Sequence, residues 1–265
     1  MIHYVMSERD SSGRDAAERR TRLESLRETI PGYLVHVYTA STLFFVALAA
    51  QWILEGAHRW ALMALAVTII IDATDGALAR KFRVKETAAA IDGGLLDNII
   101  DFTSYVLLPM LLLLQTGLLA PPGVLITAFA MFSSAFGFSR TTAKLADEGF
   151  FVGFPSYWSI VVFYLYMLDT PPLFNALLIL GLSLMVFVPV RFLYVSRLQR
   201  GRTLHVALGT VWSLLCVWAL LLEPGALRSG ILHLSLVYPV YYTLHSLQLD
   251  WRSRQQRLAL SNASE

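Results

Sequence analysis

Charged residues are scarce in this sequence. Asp, Glu, Lys and Arg together make up 15% of its 265 residues, whereas a soluble domain usually carries about 25%. Hydrophobic residues supply 56% of the chain. This balance argues against a soluble globular protein and favours a chain embedded in lipid.

Cysteine is scarcer still. Cys216 is the single cysteine, so an intrachain disulfide is excluded. The first 30 residues are polar and charged, and we expect no secretory signal before the first apolar run. Repeats and low-complexity tracts are also absent, which excludes a repeat protein. The remaining sequence consists mainly of long apolar runs.

These apolar runs predict an all-α polytopic membrane protein with about eight transmembrane helices. A bilayer core requires about 20 mostly apolar residues per helix, and lipid offers the backbone no hydrogen-bonding partner outside a helix. The predicted spans are Tyr33–Leu54, Trp60–Ala79, Ile91–Leu114, Val124–Ala143, Phe154–Leu168, Leu173–Leu193, Val206–Leu222 and Ile231–Leu249.

The positive charges predict the orientation of these spans. Lys and Arg accumulate in cytoplasmic loops, and 19 of the 21 basic residues fall on one side of the predicted topology. Arg59 and Arg228 are the two that fall on the other side. An even number of spans with both termini in the cytoplasm satisfies this distribution.

An amphipathic helix is expected before the first span, over Asp15–Ile30. Leu23, Leu26 and Ile30 recur at helical spacing, with Arg and Glu between them. Such a helix would lie along the cytoplasmic interface. We expect Pro31-Gly32 to separate it from the first span, although a plain disordered tail is the alternative.

Four acidic residues stand inside the second and third spans. Asp72 and Asp75 are spaced i, i+3, and Asp97 and Asp101 are spaced i, i+4. Each pair therefore lines one face of its helix. The two spans are antiparallel and joined on the cytoplasmic side. Asp72 lies about 12 Å from the span end at Arg80, and Asp97 about 9 Å into its span, so their carboxylates can converge.

Intramembrane carboxylates are costly, by about 2.5–3.5 kcal/mol each on insertion scales. Four of them cannot all stay ionised together unless cations lie among them. Ligands that are all oxygen favour hard divalent cations such as Mg²⁺ or Mn²⁺. Helix pairing through protonated Asp and an ion-transport pathway are the alternatives. Four unmatched acids, with no basic residue inside either span to pair with them, argue against helix pairing. An ion-transport pathway does not explain the small residues Gly76, Ala79, Gly93 and Gly94, which leave space for a ligand or a close helix approach.

The acidic segments together form one long pattern. It reads Asp72-x2-Asp75-Gly76-x2-Ala79-Arg80-x12-Gly93-x3-Asp97-x3-Asp101. This pattern resembles the signature of the CDP-alcohol phosphatidyltransferases. The gap of twelve residues after Arg80 is longer than is usual in that family, and it is similar to the bacterial phosphatidylcholine synthase branch.

Three further features are similar to that branch. They are the eight spans, the sequence HVYTAS at His36–Ser41 and the sequence GFPSYWSIVVFYLY at Gly153–Tyr166. The resemblance implies that CDP-diacylglycerol reacts with choline to give phosphatidylcholine and CMP, at the bacterial inner membrane with a cytoplasmic active site. It also implies a homodimer. It divides the chain into a cytoplasmic tail with the interfacial helix (1–32), a transmembrane CDP-alcohol phosphatidyltransferase domain (33–249) and a cytoplasmic tail (250–265).

The resemblance also implies the roles of the motif residues. Asp72, Asp75, Asp97 and Asp101 would hold two divalent cations, Mn²⁺ or Mg²⁺, and Asp101 would also take the proton from the acceptor hydroxyl. The nucleotide would bind at Gly76, Ala79, Arg80 and Gly93. Asp92 is expected to cap the third span, although it could add a fifth acid to the site.

A choline site would need aromatic rings, because a quaternary ammonium has no N–H to donate and is attracted to ring faces. The candidates near the cytoplasmic half of the acidic helices are Tyr157, Trp158, Phe102, Tyr105, Phe154, Phe150 and Phe151. Other acceptors stay open, among them serine, inositol phosphate and glycerol phosphate. Phosphorylated acceptors would need a basic pocket, for which Arg140, Lys144 and Arg191 are available. A divalent-cation or proton transporter is the alternative of a different class.

Overall fold

The computed structural model describes the backbone of residues 2–140, 144–145, 150–195, 198 and 201–262. Side chains are described from residue 26 to residue 255, apart from 141–149 and 196, 197, 199 and 200. Helices form most of this chain, and they are α1 (Ile2–Leu54), α2 (His58–Lys81), α3 (Val84–Thr87), α4 (Gly93–Asp101), α5 (Leu108–Gln115), α6 (Gly123–Ser139), α7 (Trp158–Met167), α8 (Pro172–Met185), α9 (Arg202–Leu221), α10 (Ala226–Ser235) and α11 (Val237–Asn262). A π-helical segment, Phe102–Leu107, joins α4 to α5.

The all-α polytopic membrane fold is confirmed. Within the described chain, four helical stretches are long and apolar enough to cross a membrane, and they are Leu26–Leu54, His58–Lys81, Gly93–Gln115 and Arg202–Leu221. Three shorter apolar helices coincide with other predicted spans, and they are Gly123–Ser139, Trp158–Met167 and Pro172–Met185. Their exposed side chains are largely Leu, Val and Phe, which is the surface that lipid requires.

The expected break at Pro31-Gly32 is wrong, because α1 continues through both residues. Proline costs one backbone hydrogen bond inside a helix, but neighbouring groups can compensate for it in long apolar helices. The backbone before Leu26 is helical. The side chains that would make it amphipathic, including Leu23, lie outside the described residues, so the interfacial helix stays a prediction.

A short antiparallel sheet occupies positions predicted to lie in loops or helices. Its strands are β1 (Lys144–Leu145), β2 (Phe150–Val152) and β3 (Arg191–Leu193), in the order β1-β2-β3. The predicted span Leu173–Leu193 is therefore too long, since α8 ends at Met185. Pro189 cannot donate a backbone hydrogen bond, and the carbonyls of Met185 and Val190 accept from Phe154 and Gly153 instead.

The last predicted span is also divided. Ile231–Leu249 is split between α10 and α11 at Leu236. Proline at position 239 explains the break, because it favours the first turn of a helix, where its missing N–H is not needed. The fifth span likewise begins later than expected, at Trp158, because the preceding residues form a turn.

The chain consists of two compact units. The first comprises Met1–Thr42 and Ile70–Asp97. Its apolar centre is small and consists of Val35, Val84 and Ala88, with Leu78, Ala79 and Phe82 against it. This centre packs α1 against α3 and the end of α2, close to the acidic residues of α2.

The second unit comprises Leu43–Ile69 and Asn98–Glu265. Its core includes the fully buried side chains of Leu112, Leu113, Val162 and Ile179. Buried hydroxyl groups on these helices bond to carbonyls one turn earlier; Ser183, for example, donates to Ile179 at 2.7 Å. Such internal bonds allow polar side chains to be buried within apolar helices.

Candidate active site and metal centre

Helix α2 positions the first acidic pair. Asp72 and Asp75 lie one turn apart in its last third, and Arg80 follows near its end. Asp72 is half-buried, whereas Asp75 is only 8% exposed. The oxygen Oδ2 of Asp75 accepts a hydrogen bond from Thr39 of α1 at 2.9 Å. The two acids of α2 are thus held in different environments.

Helix α4 positions the second pair. It begins at Gly93, and Asp92 caps it as expected, since Asp92 Oδ1 accepts from the N–H groups of Gly94 and Leu95, both at 3.0 Å. This cap fixes the start of the helix. Asp97 and Asp101 then fall one turn apart on the same face, both half-buried.

The carboxylates come close enough to share a cation. Oxygen atoms of Asp72 and Asp97, in the first unit, lie within 4.8 Å of one another. Along α4, oxygen atoms of Asp97 and Asp101 lie within the same distance. Two carboxylate oxygens bound to one Mg²⁺, each at about 2.0–2.1 Å, lie at most about 4.2 Å apart, so oxygens within 4.8 Å of one another are close to the spacing that one ion requires. These residues fit a hard divalent cation, whereas Asp75, the fourth predicted ligand, does not belong to this group of acids.

Two small residues of the motif, Gly76 and Ala79, lie beside Arg80 near the end of α2. A methyl group added at Gly76 would lie 3.5 Å from Nη1 of Arg80, so the guanidinium lies over this glycine. Ala79 is half-buried and packs in the first unit. Gly76, Ala79 and Arg80 thus lie within about one turn of α2.

Gly93 has a neighbour that the motif did not predict. A Cβ atom at this position would lie 2.9 Å from Cε1 of His36, well inside van der Waals contact. The His36 ring also has its Nε2 3.4 Å from the carbonyl oxygen of Ala88. The absence of a side chain at Gly93 therefore leaves space for the ring of His36.

The aromatic candidates separate into two groups in the second unit. Tyr157 is half-buried, and its ring lies 6.4 Å from that of Tyr105. Phe151 and Tyr242 lie at 6.4 and 6.5 Å from the same ring, centroid to centroid. Phe151 was among the sequence candidates. Tyr242 was not, because α11 is distant in sequence and only the folded chain brings it to Tyr157.

The other candidates are packed more tightly. Trp158 has no exposed surface, and its Nε1 donates to the hydroxyl of Ser134 at 2.7 Å. Phe154 packs against Trp158 at 5.0 Å between ring centroids. Phe102 lies 6.0 Å from Phe138, edge to face. These rings pack against other side chains of the second unit.

The π-helical segment begins directly after Asp101. Such segments carry hydrogen bonds from i to i+5, are uncommon and occur frequently at functional sites. Tyr105 lies within this segment and is 8% exposed. The sequence contains no signal for the additional residue per turn, so this feature could not have been predicted from the spacing alone.

Known proteins resemble this chain over about two thirds of its length or more. No protein-family profile matches the chain. The chain is 40% identical to phosphatidylcholine synthase from Legionella pneumophila over 66% of its own length and 69% of that protein. It is 35% identical to phosphatidylcholine synthase from Rhizobium meliloti, covering 73% and 80% of the two chains. With phosphatidylcholine synthase from Borreliella burgdorferi the identity is 31%, over 86% and 97%. The chain therefore belongs to the phosphatidylcholine synthase family.

Proposed function

We propose that this protein transfers the phosphatidyl group of CDP-diacylglycerol to choline, forming phosphatidylcholine and releasing CMP. One observation carries the proposal. A chain that belongs to the phosphatidylcholine synthase family holds carboxylates of Asp72 and Asp97 within 4.8 Å of one another, at positions of the motif that resembles the CDP-alcohol phosphatidyltransferase signature. A diphosphate substrate requires such a set, because its negative charge must be neutralised as the leaving group departs.

Asp72, Asp75, Asp97 and Asp101 would hold two divalent cations, Mn²⁺ or Mg²⁺, which supply charge neutralisation to the diphosphate when bound. Arg80 would donate hydrogen bonds to a phosphate, with Gly76, Ala79 and Gly93 keeping space for the nucleotide. Asp101 would accept the proton of the choline hydroxyl. The choline oxygen then forms a bond to the phosphorus of the phosphatidyl group, while the bond from that phosphorus to the oxygen of the CMP phosphate breaks.

The acceptor would be recognised through aromatic rings. Tyr157 and Tyr105 are the residues we propose first for the choline site, and Trp158, Phe102 and Phe154 are the further candidates. Support comes from the clustering of Tyr157 with Tyr105, since each ring face attracts a quaternary ammonium by about 0.5–2 kcal/mol. Replacing Tyr157 with Leu should raise the KM for choline and leave the KM for CDP-diacylglycerol little changed. An unchanged choline KM in a folded variant would remove Tyr157 from the site.

Basic residues near the second unit's sheet bear on the alternative acceptors. The guanidinium of Arg140 donates to the carbonyl of Val186 at 3.1 Å and lies 5.7 Å from the ring of Phe187. Arg191 lies 5.9 Å from the ring of Phe150. The side chain of Lys144 lies outside the described residues. Arg140 therefore has uncharged partners within the second unit, and the choice between choline and a phosphorylated acceptor falls to the direct test.

The direct test uses membranes of a host that makes no phosphatidylcholine. Membranes containing the protein are incubated with radiolabelled choline, CDP-diacylglycerol and Mn²⁺. We expect labelled phosphatidylcholine and an equal amount of CMP. Parallel reactions with serine, inositol phosphate and glycerol phosphate, and with the Asp101→Asn variant, should give no lipid product. Product from one of these acceptors, and none from choline, would refute the choline assignment.

We also propose that the site faces the cytoplasm of a bacterial inner membrane and that the protein forms a homodimer. The basic residues beside the acid-bearing end of α2, Arg80 and Lys81, support the orientation. Single cysteines at Lys85 and Glu55, in a Cys216→Ser background, test it in intact cells. An impermeant thiol reagent added outside should label position 55 and spare position 85, and the reverse pattern would contradict the orientation. Light scattering of the purified protein tests the dimer.

A further inference from the structure

One turn of α1 contacts the segments that carry the motif acids. Within the first unit, His36 approaches the carbonyl of Ala88. The hydroxyls of Tyr38 and Thr74 lie 2.7 Å apart. Thr39 Oγ1 donates to Oδ2 of Asp75 at 2.9 Å. This turn belongs to the HVYTAS sequence, to which the spacing of the acids assigned no role.

The bond between Thr39 and Asp75 differs from the other two. Both side chains are only 8% exposed, and the acceptor is a carboxylate that the motif places at a metal centre. Hydrogen bonds to a carboxylate are shorter and stronger than bonds between neutral groups. Threonine is also branched at Cβ, which restricts its χ1 angle and fixes the direction of its hydroxyl. One oxygen of Asp75 is therefore held in place by a second helix.

We infer that Thr39 is a positioning residue, which holds the Asp75 carboxylate in the orientation in which it would serve as a ligand of a divalent cation. The inference rests on the proposed function, in which Asp75 is a metal ligand. Partners that orient a metal ligand commonly contribute about 10- to 100-fold to metal affinity. Loss of the Thr39 hydroxyl would allow the carboxylate to rotate about χ2 and would weaken the centre without removing any ligand.

A purely structural role would predict a different pattern. In that case Thr39 would only tie α1 to α2, as the pair Tyr38–Thr74 does. Tyr38→Phe is therefore a matched control, because it removes a hydrogen bond between the same two helices without affecting an acid. Thr68→Val is a second control, since Thr68 is a buried threonine of α2 whose hydroxyl bonds to Leu65 of its own helix.

The experiment measures Mn²⁺ binding to the full-length protein in detergent by electron paramagnetic resonance, with CMP present and no lipid or choline. Thr39→Val should raise the Kd for Mn²⁺ by about 10- to 100-fold, whereas Thr39→Ser, which keeps the donor, should stay close to the parent. Tyr38→Phe and Thr68→Val should leave the Kd unchanged. In an Asp75→Asn background, Thr39→Val should add no further loss.

Several outcomes would overturn the inference. They are an unchanged Kd in Thr39→Val, an equal loss in Thr39→Ser, an equal loss in Tyr38→Phe, or a full additional loss on top of Asp75→Asn. If Thr39→Val does not fold, Thr39→Ala replaces it with the same expectations. Metal binding is measured without the acceptor, so a protein that proved inactive toward choline would leave this test intact.

Discussion

At the scale of single residues, the four motif acids are not equivalent. Asp75 is buried and bonded to Thr39, while Asp101 is half-buried at the last position of α4, beside the π-helical segment. Burial and a fixed partner suit a ligand that must stay in one orientation. The more open position of Asp101 suits a base that must meet the incoming acceptor.

Replacing Asp101 with Asn should therefore abolish turnover while largely preserving the binding of CDP-diacylglycerol. The amide keeps the shape of the side chain but cannot accept the acceptor proton, and general-base catalysis typically contributes about 10²- to 10⁴-fold. Turnover is followed as CMP release, and binding is followed with labelled CDP-diacylglycerol. Asp72→Asn serves as the comparison and should weaken metal and nucleotide binding. Near-normal turnover in Asp101→Asn would show that another group takes the proton.

Gly93 and His36 form a second pair that can be tested at this scale. Gly93→Ala should destabilise the protein by about 1–3 kcal/mol, as overpacking does, because the new Cβ would meet Cε1 of His36 at 2.9 Å. The double variant His36→Ala/Gly93→Ala should recover much of this loss. Thermal unfolding in detergent measures both.

Recovery in the double variant would identify His36 as the reason for the glycine. If Gly93→Ala instead kept full stability and lost only nucleotide affinity, the glycine would serve the ligand, as the family signature implies. Both readouts are taken on the same preparations, so the two roles of Gly93 can be separated.

At the scale of secondary-structure elements, the turn before α7 is held by an unusual glycine. Gly153 has a φ of +86°, and a Cβ there would lie 2.3 Å from the carbonyl oxygen of Val186. Its N–H donates to Val190 at 2.8 Å. This turn leads to Tyr157, so its backbone determines where that ring lies.

Gly153→Ala should therefore disrupt the turn and raise the KM for choline, in addition to lowering stability. Gly117→Ala is a matched control, because Gly117 also has a positive φ, +67°, but nothing lies within 4 Å of an added Cβ. Gly117→Ala should lower the free energy of unfolding only by the backbone strain, about 1–2 kcal/mol. Steady-state kinetics and thermal unfolding compare the two. Equal effects would show that the contact with Val186 is unimportant.

The sequence predicted the helices better than the contacts between them. Helices α2 and α4 and the pairing of their acids followed from hydropathy and from spacings of three and four residues, both of which are local properties. The sheet β1-β2-β3 did not follow, because β2 and β3 are separated by a whole helical hairpin. The bond from Thr39 to Asp75 joins residues 36 positions apart, and no periodic pattern encodes such a partner.

At the scale of the whole molecule, the distribution of charged residues matches the positions of the long apolar helices. The few long apolar helices of the described chain carry almost no charges except the acids of α2 and α4 and the basic residues at their ends. An acidic side chain inside a membrane is energetically costly, so one that is found there marks a functional site. The scarcity of charge that marks this chain as a membrane protein therefore also draws attention to its site.

The half-buried carboxylates of Asp72 and Asp97 should determine the order in which the metal and the nucleotide bind. Two negative charges within 4.8 Å repel a diphosphate until a cation has neutralised them. The metal should therefore add before the nucleotide and leave after it. Initial rates at varied Mn²⁺ and CDP-diacylglycerol should follow a compulsory-order scheme, and protein treated with a chelator should retain no nucleotide. A random-order pattern would show that the site accepts the anion without its counter-ion.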